Sequence, residues 1–162
     1  MFEGLGMGRV GRCAATLLIL ALGVGAAGAE DVRTYTKRAD FDAVKFELTN
    51  AIIARGLKIA YSGEIGSMLE RTGADVGSSE PLYVRAEFVV FCSARLSRAL
   101  MEADLTNIGF CPFVVFIYEA AARPGETVVG YRRPPLTQSG DSARVLAEID
   151  TLLDGIVRDA SQ

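Results

Sequence analysis

Apolar positions along the chain switch between two spacings, and the switches mark out its elements. Phe41, Val44, Leu48, Ala51 and Ile52 recur with the period of a helix. Asp40 stands ahead of them as an N-cap whose carboxylate accepts an orphan backbone N–H. Arg55 in the last turn and Gly56 as a left-handed cap close the helix at about residue 55. Ser142 to Ala160 repeats the pattern, with Val145, Ile149, Leu152, Leu153 and Ile156 on one face. Two shorter helices are expected. One runs from Glu64 to Thr72 with Ile65, Met68 and Leu69 inward; the other, capped by Ser93, runs to about Ala103 along Leu96, Leu100 and Met101.

The remaining apolar segments have the period of strands. They are Val32 to Lys37, Leu57 to Tyr61, Tyr83 to Cys92, Phe113 to Tyr118 and Thr127 to Arg132. In the third, Val84, Ala86, Phe88 and Val90 share one face, and Val89 and Phe91 lie toward its buried end. Phe113 to Tyr118 is almost continuously apolar and is expected to be central and covered on both faces. Pro134-Pro135 ends the last strand, because proline donates nothing to a ladder. Residues 73–81 form a loop by composition and the natural rim of any pocket. Residues 104–110 read as a turn, and 121–126 as a hairpin loop around Arg123-Pro124-Gly125. Hairpin-joined strands interspersed with helices give an α+β domain: a largely antiparallel sheet with helices packed on one face. One globular domain over residues 30–162 accounts for all of these elements.

The first 29 residues follow a different rule. Arg9 and Arg12 precede an apolar run from Cys13 to Val24 around Leu17-Leu18-Ile19-Leu20, and Ala27-Gly28-Ala29 stands just before Glu30. Basic, then apolar, then small residues is the pattern of a secretory signal, so residues 1–29 are expected to be a signal peptide and the protein periplasmic or secreted. Membrane attachment is expected only through that segment if it stays uncleaved; its apolar run is short for a spanning helix and interrupted by glycine. Gly6-Met7-Gly8-Arg9-Val10-Gly11 has dinucleotide-binding spacing but lacks the preceding strand that the motif requires.

Charge and composition narrow the function. The 162 residues carry a formal charge of −3. Without residues 1–29 there remain 15 basic and 19 acidic residues, a balance that disfavours a nucleic-acid partner. The chain has no histidine. That rules out Ser-His-Asp and Cys-His nucleophile pairs, histidine-ligated zinc and c-type haem attachment. Met68 and Met101 lie on helical apolar stripes and fit a core better than a haem or copper site. No metal site and no catalytic group is assigned, and no cofactor is indicated.

Cys92 and Cys111 are the two cysteines beyond residue 29. In an oxidising compartment such a pair is expected first as a disulfide, closing a loop with 18 residues between its ends. Chain entropy alone gives such a loop about 3 kcal/mol. The bridge is feasible only if the two strands are antiparallel neighbours. The alternatives are separate buried thiols, or functional thiols as a redox pair or metal ligands, although two cysteines without histidine make a poor closed metal site. Tyr118, Glu119, Tyr131 and Arg132 lie on the two hairpin strands. They are candidate ligand-binding residues, set against ordinary cross-strand pairing. Arg132-Arg133 is a candidate anion contact or a guard against edge aggregation.

One family resemblance unites these segments. It is carried by Phe88-Val89-Val90-Phe91-Cys92-Ser93-Ala94, Leu96-Ser97 and Asn107-Ile108-Gly109-Phe110-Cys111-Pro112-Phe113. It continues in Val115-Phe116-Ile117-Tyr118-Glu119, in Val129-Gly130-Tyr131-Arg132 and in the earlier Ala51-Ile52-Ile53-Ala54-Arg55-Gly56-Leu57. Together, over about residues 34–158, they resemble domain-of-unknown-function family 302. The order Phe-Cys-Pro is closer to the exported, single-domain branch than to the branch with Pro-Cys. The resemblance implies a compact α+β domain, often a homodimer, with some members accompanying sulfur-oxidation or redox proteins. It implies no settled activity. The function expected is a non-catalytic exported domain that binds a small ligand or a protein partner. The alternative is a thiol-dependent redox or sulfur-handling protein using Cys92 and Cys111.

Overall fold

The structure, a computed structural model, describes residues 31–135 and 138–162. The expected signal segment lies outside them. Five strands, β1 (Val32–Lys37), β2 (Lys58–Gly63), β3 (Tyr83–Cys92), β4 (Phe113–Ala120) and β5 (Thr127–Arg132), form one sheet in the order β1-β5-β4-β3-β2. Every neighbouring pair is antiparallel. The helices are α1 (Phe41–Ile53), α2 (Ile65–Thr72), α3 (Ala94–Ala103) and α4 (Gly140–Ala160), with short 3-10 turns at Ala74–Val76 and Leu105–Phe110. Among the described residues no helix is long and apolar enough to cross a membrane.

Helices α1, α3 and α4 form the single helical layer, with α4 between the other two. The α1 stripe buries where its spacing placed it: Phe41, Val44, Leu48, Ala51 and Ile52 are all buried, and the Asp40 carboxylate accepts from the amides of Asp42 and Ala43. From α4, Val145, Leu146, Ile149, Leu153, Ile156 and Val157 enter the same core. They meet Val89 and Phe91 of β3, Phe113, Val115 and Ile117 of β4, and Val129 and Tyr131 of β5. These strand residues are all odd-numbered, as alternation across a pleated sheet requires.

Two expectations are corrected. β4 is central, between β5 and β3, but it is covered on one face only: Val114 is 42% exposed on the face that carries no helical layer. Its continuous apolar run serves a core on one side and a surface on the other. In α2, Ile65 and Met68 do not face inward and are about two-fifths exposed. Gly66 explains the placement: a Cβ there would come 2.9 Å from the backbone nitrogen of Ala86, so this helix lies against the backbone of β3 and packs by closeness rather than by an apolar stripe. The loop after α2 does border a cavity, of about 330 Å³, between Leu69, Val76, Pro81 and Tyr83.

Candidate functional site

The even-numbered residues of the central strands turn away from the helical layer and make an aromatic surface. Phe88 of β3 lies 5.9 Å from Tyr61 of β2, Phe116 and Tyr118 of β4 are stacked at 6.2 Å, and Tyr83 meets Tyr118 edge-on at 5.4 Å. Two glycines make room for them. Gly130 stands opposite Phe116, and Gly63 opposite Phe88, and in each case the ring occupies the space a Cβ would take. Val32, Tyr61 and Val114 on this face are 46%, 60% and 42% exposed. By strand alternation its charged members are Lys58 and Arg132, at one end of the sheet.

At that same end the sheet divides. β3 pairs with β4 as far as Phe91↔Phe113, and β1 with β5 as far as Val32↔Arg132. The pairing of β4 with β5 stops earlier, at Val115↔Tyr131. The two inner strands therefore part while each stays bonded to its outer neighbour. Continuing their register would set Pro112 against Pro134, and neither has an N–H to donate, so the ladder does not resume beyond the gap. The fork is a groove of about 470 Å³, floored by Phe113, Ile149 and Leu153 and edged by Phe110, Pro112 and Pro134. Arg132, Arg133 and Asp31 bring charge to it. The Arg133 guanidinium is committed to Asp150, at 3.2 Å to Oδ1 and 2.9 Å to Oδ2.

Asn107 fixes the wall of this groove. It is buried, and its amide donates to the Leu100 carbonyl and to Ser142 Oγ, both at 2.9 Å. It thereby ties the Leu105–Phe110 turn to the ends of α3 and α4. Sequence reasoning did not single out Asn107; its signal was an amide inside an otherwise apolar family motif.

The four hairpin candidates do not converge. Tyr118 belongs to the aromatic face. Glu119 is turned to the hairpin, where its Oε1 accepts from the Gly125 amide at 2.7 Å. Tyr131 is buried beneath α4 and donates to Asp150 Oδ1 at 2.8 Å; burial, then that hydrogen bond, drive its pKa well above the ordinary tyrosine value. Arg132 alone reaches the fork. Alternation separates neighbours in sequence, and pairing with α4 and the hairpin loop takes up the polar groups.

Cys92 and Cys111 lie at the same end of the antiparallel β3–β4 pair, as a bridge would require, but the disulfide is not formed and both are free thiols. Cys111 packs against the core, with its Sγ donating to Ser97 Oγ of α3 at 3.3 Å. Cys92, one residue past the buried Phe91, is exposed. Burial raises the Cys92 thiol pKa, the neighbouring Cys111 raises it further, and the Phe113 amide only partly offsets them. Among the described residues no group of three or more cysteines and carboxylates is placed to hold a metal.

Comparison with known proteins agrees with this architecture. The crystal structure of an uncharacterized conserved DUF302 protein from Bacillus stearothermophilus superposes with a TM-score of 0.67 at 13% identity. The match covers 82% of this chain and 99% of that one, a likeness of fold. No curated protein matches. The sequence pattern of Domain of unknown function DUF302 matches residues 32–160, and the chain belongs to that family.

Proposed function

We propose that this protein is a non-catalytic exported domain that works by binding, and that its first partner is a second copy of itself, seated on the uncovered face of the sheet. The observation that carries this is the aromatic face. The largest apolar patch of a soluble monomer is often a functional one, and tyrosine and phenylalanine are enriched where proteins meet. Five strands about 4.8 Å apart and some six residues long give a plane of roughly 500 Å², of the order of the ~800 Å² per partner that a specific interface takes up. The placement of charge is compatible with self-pairing, because like charges need not meet. A two-fold axis lying in the face and across the strands sets the Lys58–Arg132 end of one copy over the uncharged end of the other. Export rests on the three-part pattern of residues 1–29.

The thiol-dependent alternative has less support. A reactive cysteine needs a lowered pKa beside a cation or a helix N-terminus, and Cys92 is shifted the other way.

Sedimentation of the purified protein, and of a Tyr61→Lys/Val32→Lys variant, tests the reading. Both side chains are exposed, so the fold tolerates the change. A dimer that becomes a folded monomer in the variant supports the proposal. A wild-type monomer at high micromolar concentration, or a dimer unaffected by the two lysines, overturns it.

A further inference from the structure

β1 forms one edge of the sheet, and its pairing with β5 fixes which of its backbone groups are left over. The Arg133 amide donates to the Asp31 carbonyl at 2.8 Å, and the same register sets Arg33 against Tyr131, Tyr35 against Val129 and Lys37 against Thr127. Hydrogen-bonded pairs alternate along an antiparallel ladder, so the odd-numbered residues commit their N–H and C=O groups to β5. Val32, Thr34 and Thr36 direct theirs outward, and all three residues are exposed. Among the described residues no strand pairs with that edge.

The two edges of the sheet are not alike. At the far edge the register of β2 slips between Ile59 and Tyr61, an irregularity of the kind that blunts an edge against pairing. β1 contains neither proline nor glycine, and its register with β5 is unbroken from Val32 to Lys37. Its open side is a straight ladder of donors and acceptors.

We propose that this edge pairs with the β1 of a second copy, antiparallel and centred on Thr34, so that one sheet runs through both molecules. Residues opposite each other across a ladder share a face of the sheet, so a strand paired with itself is centred on a residue. Centred on Thr34, Val32 meets Thr36 and Thr34 meets its own copy, β-branched pairs that suit a ladder. Arg33 meets Tyr35, and both are already held by Asp154 of α4, at 3.0 and 2.8 Å. Asp31 meets Lys37 at each end of the pairing, and neither side chain has an ion-pair partner of its own among the described residues. Centring on Tyr35 would instead set Arg33 against Lys37, and like charges directly opposite are destabilising. Charge complementarity therefore selects both the occupant and the register. A lysine alone would guard an edge; here the second copy supplies its counter-charge.

This interface uses backbone groups in the plane of the sheet and does not rest on the aromatic face. A single short edge buries less than the ~1,200 Å² at the low end of stable interfaces, so it fills at higher concentration than pairing of the faces.

Amide hydrogen exchange of the purified ¹⁵N-labelled protein, at about 2 mM and at about 50 μM, tests the assignment. The expected result is protection of Val32, Thr34 and Thr36 at the higher concentration only, with Arg33 and Tyr35 protected at both. Pairing of the sheet faces gives the edge amides no acceptor and does not produce that alternation. Asp31→Lys and Lys37→Asp should each weaken the association about tenfold, because each sets like charges together at both ends, and the double variant should restore it. Thr34→Pro should abolish it and leave the pairing with β5 intact, since the N–H it removes points outward. Rapid exchange of the three edge amides at both concentrations would overturn the proposal. So would a double charge variant as weak as the single ones, or a folded Thr34→Pro protein that still protects Val32 and Thr36 on concentration.

Discussion

Phe116 occupies the space above Gly130, its cross-strand partner: a Cβ on that glycine would come within 2.6 Å of both Phe116 Cζ and the backbone oxygen of Arg33. A ring can turn, but the Arg33 backbone is fixed by the β1–β5 pairing. Gly130→Ala is therefore expected to destabilise the fold by about 1–3 kcal/mol, the usual cost of overpacking. Gly63→Ala, which meets only the outer edge of the Phe88 ring, should cost distinctly less. Urea unfolding of the two variants side by side checks the order, and equal losses would contradict it.

Asn107 carries two buried hydrogen bonds from one amide. Asn107→Ala removes both donors and strands the acceptors at Leu100 and Ser142, at a cost of about 2 kcal/mol. Hydrogen exchange should rise over Leu105–Phe110 before it rises in the β3–β4 pair, because the amide anchors the turn rather than the sheet. Uniform acceleration across the molecule would show that it does not act locally.

Acid should unfold the protein through α4. Burial pushes the Asp150 carboxyl up, but hydrogen bonds from Arg133 and Tyr131 reverse that shift and leave it below its ordinary value. Asp154 behaves alike: burial is outweighed by hydrogen bonds from Tyr35 and Arg33. A carboxylate depressed in the folded state contributes stability that is complete above its unfolded pKa, near 4, and is lost as pH falls through the folded value. Stability is thus expected to be level at neutral pH and to decline below about pH 4. Asp150→Asn should be less stable than wild type at pH 7 and have a shallower acid slope. Parallel slopes in urea titrations at pH 7 and pH 3 would remove Asp150 from the account.

The two thiols should differ in access but share low reactivity. Cys92 is exposed and Cys111 is half-buried against Ser97. Alkylation under native conditions is expected to modify Cys92 first. Its rate should still be climbing above the ordinary thiol pKa, because burial and Cys111 raise its own. A rate that levels off near neutral pH would indicate an activated thiolate and restore the redox reading.

The elements were legible in the sequence because each carries a local signal. Tyr83 to Cys92 and Thr127 to Arg132 have the ends their apolar patterns and the prolines indicate, and Asp40 caps α1 as its side chain permits. What escaped was relational. Whether an apolar strand is covered on one side or two depends on where the helices land, so β4 looked doubly covered when Val114 is exposed. Ile65 and Met68 had helical spacing without a core to face, since Gly66 decides how α2 sits. The fork was unreadable for a similar reason. Pro112 and Pro134 are separate punctuation marks in the chain, and they become one feature only when register sets them opposite each other. Tyr118, Glu119, Tyr131 and Arg132 are near in sequence, but alternation and the demands of α4 and the hairpin loop send them to different surroundings.

The early end of the β4–β5 ladder gives the sheet a seam. On one side lies a leaf of β1 and β5, on the other a leaf of β2, β3 and β4. At the hairpin end the leaves are joined by the chain itself; at the other end Ile149 and Leu153 of α4 lie along the opening. The ladder from Glu119↔Thr127 to Val115↔Tyr131 holds the leaves together elsewhere, so any spreading of the opening bears first on the Val115↔Tyr131 pair. Spreading there alters the splay of the leaves, and with it the curvature of the aromatic surface on the reverse side.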